Sequence, residues 1–158
     1  MRQPHSTRRQ FLRLTGAAAV AGAVPAVTLR PAEATPAMLA SAIRQVVGDA
    51  VVKTGKVKLD VPPLVENGNT VPLRVSVESP MTPDDHVKAI HVFNEKNPQP
   101  HVFNASLSPA NGRAAVATRI KLADAQKVVA VAETSKGEFW TAHAEVIVTI
   151  AACIEDIT

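Results

Sequence analysis

The amino-acid sequence predicts an all-β fold: an immunoglobulin-like antiparallel β-sandwich of about seven strands with one N-terminal helix. Three observations predict it. Short segments alternate apolar and polar residues at a period of two between Val57 and Ile150. Pro, Gly and Asn punctuate them at close intervals, with no helical segment between strands and hence no βαβ unit. The apolar positions are chiefly valine and alanine, small side chains that suit two closely packed sheets.

The helix comes first. Thr35 is placed as N-cap and Pro36 at the first helical position. Leu39, Ile43, Val46 and Val47 then line one face, and Gly48 supplies the stop. The strands follow. Val57–Val61 alternates until Pro62-Pro63, and the turn residues Glu66-Asn67-Gly68-Asn69 precede Val71, Leu73, Val75 and Val77. Pro80 and Pro83 bracket a loop before Val87–Phe93, and Asn97-Pro98-Gln99-Pro100 breaks the chain again. Phe103, Ala105 and Leu107 alternate, then Asn111-Gly112 turns into Ala114–Ile120. Val128–Ala132 is a core-crossing run, and Lys136-Gly137 leads to a long last strand from Trp140 to Ile150. No internal repeat or low-complexity segment interrupts residues 35–150, which are expected to form one domain.

Residues 1–34 are expected to be an export signal rather than part of this fold. Thr7-Arg8-Arg9-Gln10-Phe11-Leu12-Arg13 follows the twin-arginine pattern, and an alanine-rich apolar stretch runs from Leu14 to Leu29. That stretch is shorter than the roughly 20 residues of a membrane span. Small residues place cleavage after Ala34, with Ala26 as the alternative, and the mature chain is expected in the periplasm without a membrane span. Five of the 17 Lys and Arg residues and one of the 14 acids fall in the signal, so the net charge of +3 becomes −1 in the mature chain. With only four aromatic residues besides Phe11 (Phe93, Phe103, Phe139 and Trp140), a nucleic-acid surface of basic and stacking side chains is not expected.

No catalytic or metal constellation emerges. Of the mature histidines His86, His91, His101 and His143, the first two are five apart, which in a strand points them to opposite faces. One cysteine excludes a cysteine-pair zinc site, and no histidine or methionine follows it as a copper site requires. His91, between Ile90 and Val92, is read as a half-buried strand histidine with both nitrogens hydrogen-bonded. Asp84-Asp85 is read as a solvated turn. Neither a metal nor a cofactor is expected, and no serine stands in a nucleophile elbow.

The single cysteine, Cys153, lies beyond the last strand in residues 151–158, a segment expected to form a terminal arm. An exported chain with one cysteine has no internal disulfide partner, so the thiol is idle, paired between chains, or used chemically.

Several stretches together resemble the SoxY family, the sulfur-carrier subunit of the periplasmic thiosulfate-oxidation (Sox) system. They are Ile43–Lys58, Glu66–Pro80, Val87–Phe93, Asn97–Pro100, Ser108–Arg113, Val129–Glu133 and the approach to the cysteine, Ala144–Ile150. The resemblance implies a sandwich paired with a SoxZ-like subunit as a heterodimer. It implies covalent attachment of sulfur intermediates to Cys153. A c-type cytochrome, a thiosulfohydrolase and a sulfane dehydrogenase would act in turn on that load, the carrier supplying no catalytic group of its own. The family's arm reads Gly-Gly-Cys-Gly-Gly, whereas this chain has Ala151-Ala152-Cys153-Ile154-Glu155. Alanine removes conformational freedom, Ile154 adds width beside the sulfur, and Glu155 and Asp156 disfavour the thiolate. The alternative reading is an exported binding or structural module that carries no sulfur.

Overall fold

The computed structural model describes residues 36–152. The expected signal peptide, the Thr35 N-cap and residues 153–158 of the arm, Cys153 among them, lie outside the described residues. Helix α1 (Pro36–Val47) is followed by β1 (Val52–Thr54), β2 (Val57–Asp60), β3 (Leu64–Asn67), β4 (Val71–Val77) and β5 (Val87–Asn94). Then come β6 (His101–Ser106), a 3-10 turn (Pro109–Asn111), β7 (Ala114–Ile120), β8 (Gln126–Thr134) and β9 (Phe139–Ile150). The larger sheet has the order β1-β9-β8-β5-β6 with β3 also on β9, and the smaller sheet is β2-β4-β7.

All seven expected strands are present, as is the helix, which ends where Gly48 adopts φ +60° and donates its N–H to the Arg44 carbonyl at 2.8 Å. Two strands were not expected. β1 and β3 both run parallel to β9, pairing Val52 with Phe139 and Leu64 with Ile147, so the sandwich is not purely antiparallel. Leu64-Val65-Glu66-Asn67, expected to be turn material from Glu66 onward, completes its strand before turning at Gly68.

Alternation explains the core. In β4, Val71, Leu73, Val75 and Val77 point inward, with Pro72 and Arg74 exposed between them. They meet Ile90 and Val92 of β5, Val128, Ala130 and Ala132 of β8, and Val146 of β9. Burial of each valine side chain contributes about 1.5–3 kcal/mol before conformational entropy is counted. A second cluster lies on the outer face of the larger sheet, where α1 covers it with Leu39 and Val47 packed over Phe93, Val129, Val131 and Phe139. Residues of β5 and β8 are therefore apolar on both faces, which is why Val128–Ala132 reads as a continuous apolar run.

Candidate functional site

β9 carries the chain toward Cys153, so the site is built at the end of the sandwich where β9 stops. There β9 is not a bare edge. Its last residues pair with β3, Val148 opposite Val65 and Ile150 opposite Asn67. The Thr149 hydroxyl donates to the Glu66 carbonyl at 3.2 Å. Beyond β9 three backbone bonds tie separate segments together. Gly68 N–H donates to the Ile150 carbonyl (2.8 Å), Leu122 N–H to the Gly68 carbonyl (2.8 Å), and Ala152 N–H to the Leu122 carbonyl (3.0 Å). Leu122 is fully buried and Ala152 nearly so. The residue before Cys153 is thus fixed to the body by a hydrogen bond and by burial.

Gly68 makes this clasp possible. A Cβ there would overlap the Leu122 carbonyl oxygen and lie 2.8 Å from the Ala152 nitrogen and 3.1 Å from a Val148 methyl. The glycine is required by close approach of backbone, not by a positive φ. Asn67 shapes the turn locally, its Oδ1 accepting from Asn69 N–H at 2.9 Å.

The loop that presents Leu122, residues 121–125, is held by side chains from the β5–β6 connection. Asn97 Oδ1 accepts from Ala123 N–H and from Gln126 Nε2, both at 2.9 Å, and Asn97 Nδ2 donates to the Lys121 carbonyl at 2.9 Å. Gln126, buried, accepts the Lys96 N–H at 2.8 Å through Oε1. The Lys96 ammonium meets Asp124 Oδ2 at 2.7 Å. That hydrogen bond, then the one from Ala125 N–H, holds the Asp124 carboxyl below its usual value. From the sequence, Asn97-Pro98-Gln99-Pro100 reads only as a break; the structure makes Asn97 the support of the clasp loop.

Around the corner, on the outer face of the smaller sheet, lies an open cleft of about 740 Å³. It is lined by Asp60, Pro72, Arg74, Ala117 and Arg119. Register places Arg74 between Asp60 and Ala117, with Arg119 opposite Pro72.

The histidines do not converge on one centre. His86 precedes β5, its Nδ1 3.1 Å from the Thr82 carbonyl oxygen. His91 and His143 are separated by β8, pairing with Val131 and Val129 respectively. His91 instead approaches His101, ring centroids 5.6 Å apart, and His101 stacks on Phe93 at 4.8 Å. Contrary to expectation, His91 Nδ1 is buried without a hydrogen-bond partner. Burial, then the neighbouring His101, lowers its pKa from the ordinary 6.5. Among the described residues no group of three or more His, Cys, Asp or Glu is placed to hold a metal ion. No described helix is long and apolar enough to cross a membrane. Asp85 ends in an ion pair with Lys136 at 2.7 Å, which lowers the pKa of its carboxyl, in the exposed turn where the sequence put it.

The family described as sulfur oxidation protein SoxY matches residues 43–153, most of the chain and up to its single cysteine. The chain belongs to the SoxY family. Among solved structures it is similar to the sulfur carrier protein SoxY from Chlorobium limicola f thiosulfatophilum. That likeness has a TM-score of 0.59 at 26% identity and covers 71% of this chain and 96% of the other. A superoxide reductase from Ignicoccus hospitalis (TM-score 0.54, 19% identity, 68% of this chain and 86% of that one) shares the fold alone. So does one from Nanoarchaeum equitans, at 0.52 and 14%, covering 61% of this chain and 100% of the other. Comparison with curated proteins finds no match. SoxY membership makes this chain a component of sulfur oxidation with a carrier role, in a family that works in the periplasm with other Sox proteins.

Proposed function

We propose that this SoxY-family protein carries sulfur intermediates covalently on Cys153 and presents them to separate enzymes of thiosulfate oxidation. The observation that carries the reading is that the family match runs through the β-scaffold to residue 153, where the only cysteine of the chain stands. The clasp at Gly68, Leu122 and Ala152 supports the reading, because it fastens the residue before Cys153 to the end of the sandwich.

In the proposed cycle the Cys153 thiolate and the sulfane sulfur of thiosulfate form a sulfur–sulfur bond, and the electron pair released passes to a c-type cytochrome. A thiosulfohydrolase then adds water across the sulfane–sulfonate bond. Sulfate leaves, and a persulfide remains on Cys153 for a sulfane dehydrogenase. The carrier contributes the nucleophilic sulfur and its position, not an acid or a base. A SoxZ-like subunit is the proposed heterodimer partner, and the twin-arginine signal in residues 1–34 the proposed route to the periplasm, leaving the sandwich of 35–150 and the arm of 151–158.

Mass spectrometry of the protein from thiosulfate-grown cells tests this. Peptides containing Cys153 should carry thiosulfonate or persulfide adducts, and a free thiol under every growth condition would end the proposal. Cys153→Ser should abolish thiosulfate-dependent respiration with unfolding stability unchanged. Retained respiration would favour a binding module whose cysteine is incidental.

A further inference from the structure

We propose that the cleft on the smaller sheet is the resting dock of the chain's own acidic tail, with Glu155 and Asp156 against Arg119 and Arg74. The proposal deepens the carrier reading and rests on it for its consequence: a docked tail holds the Cys153 thiol against the body until a partner displaces it.

Placement carries the inference. In β4, Leu73 and Val75 are buried, so Arg74 between them projects from the outer face, and Arg119 projects beside it from the position opposite Pro72. Among the described residues neither guanidinium has a hydrogen-bond or ion-pair partner. Asp60 is the acid in the cleft. It sits opposite Arg74 in register without an ion pair, so two cations face one anion. Ala117, opposite Arg74 and two residues before Arg119, keeps the floor low enough for an extended backbone to lie across it.

Reach agrees with charge. Arg119 is three residues before Leu122, roughly 10 Å along an extended chain. Leu122 is the residue whose carbonyl holds Ala152. Three and four residues beyond Ala152, Glu155 and Asp156 span at most about 11 and 14 Å. The acids therefore fall within range of the guanidiniums without disturbing the clasp. Each exposed ion pair of this kind shifts an equilibrium by about 1.5- to 5-fold, so the two together favour the docked tail by roughly 2- to 25-fold at low salt.

The test uses the full mature chain and the arginine Nε–Hε signals in nitrogen-15 spectra. Changing Glu155→Gln with Asp156→Asn should shift the Arg74 and Arg119 side-chain signals and leave those of Arg44 and Arg113 in place. Raising the salt should produce the same shifts. In Arg74→Gln with Arg119→Gln, both exposed positions, alkylation of Cys153 by neutral iodoacetamide should speed up by about two-fold or more. Unmoved Arg74 and Arg119 signals overturn the dock. So do shifts that vanish on dilution, because they would assign the occupant to a second copy's tail. Adducts on Cys153 are read independently. Adducts without these shifts sink the dock alone, and shifts without adducts sink sulfur carriage alone.

Discussion

Gly68→Ala is the most informative single change in the clasp. The added methyl would overlap the Leu122 carbonyl oxygen and press on Ala152 N and a Val148 methyl, two of which are backbone atoms that cannot rotate aside. The structure has two ways to respond. It can hold the clasp and absorb the strain, which for an overpacked site costs about 1–3 kcal/mol. Or it can open the clasp, the Gly68 turn, Leu122 and residues 150–152 drawing apart, and lose its three backbone hydrogen bonds at about 1 kcal/mol each. The cheaper route sets the ceiling, near 3 kcal/mol. Against it stands a gain of about 0.4–1 kcal/mol, because alanine restricts the unfolded chain. The expected net loss is about 2 kcal/mol, read as a lower urea midpoint at constant slope. Hydrogen exchange at the Gly68, Leu122 and Ala152 amides distinguishes the two routes, since only opening of the whole clasp exposes all three. A variant within about 0.5 kcal/mol of the parent, with those amides still protected, would refute the claim that close packing requires this glycine.

Two further predictions concern the support of the site. Asn97→Ala removes one acceptor shared by Ala123 N–H and Gln126 Nε2 and one donor to Lys121. It should cost about 2–3 kcal/mol in urea unfolding and deprotect Leu122. A change under about 0.5 kcal/mol would show that water replaces those bonds readily. His91 should titrate below 6.5 by NMR, because burial and the charge of His101 both oppose protonation. A lowered folded pKa means that the unfolded state binds the proton more readily. Stability from this group is therefore complete above pH 6.5 and falls as the pH drops from there toward the folded value. His91→Leu should flatten that dependence, and an unchanged slope would place its origin elsewhere.

Local pattern carried most of the fold. Alternation in β4 and β9, the Pro36 start and Gly48 stop of α1, and the Asn111-Gly112 turn are each written in a few adjacent residues, and each was legible. β1 and β3 were not. They are three and four residues long, and Leu64 is 56% exposed, so neither has the alternation that marks a half-buried strand. Their pairing with β9 is parallel and distant in sequence. The candidate site divides the same way. Cys153 is visible because it is the single cysteine, whereas Gly68 and Asn97 look like ordinary turn residues. Their importance comes from Leu122 and Ala152, which no window around them contains. His91 misled for the same reason: its ring lies against Phe93 and His101, and it finds no partner for Nδ1.

On the proposed carriage, the fastening of Ala152 would also set the geometry of delivery. Covalent geometry allows a neighbour's Cα to lie only about 3.8 Å away, so with the anchor intact a carried sulfur would stay near the end of the sandwich. A visiting enzyme would have to bring its active centre up to the rim formed by the 67–70 turn and the 121–125 loop. It would then read that rim along with the cargo. Client choice would be written into the landing ground as much as into the sulfur, and swapping rim residues between relatives would redirect traffic without touching the cysteine.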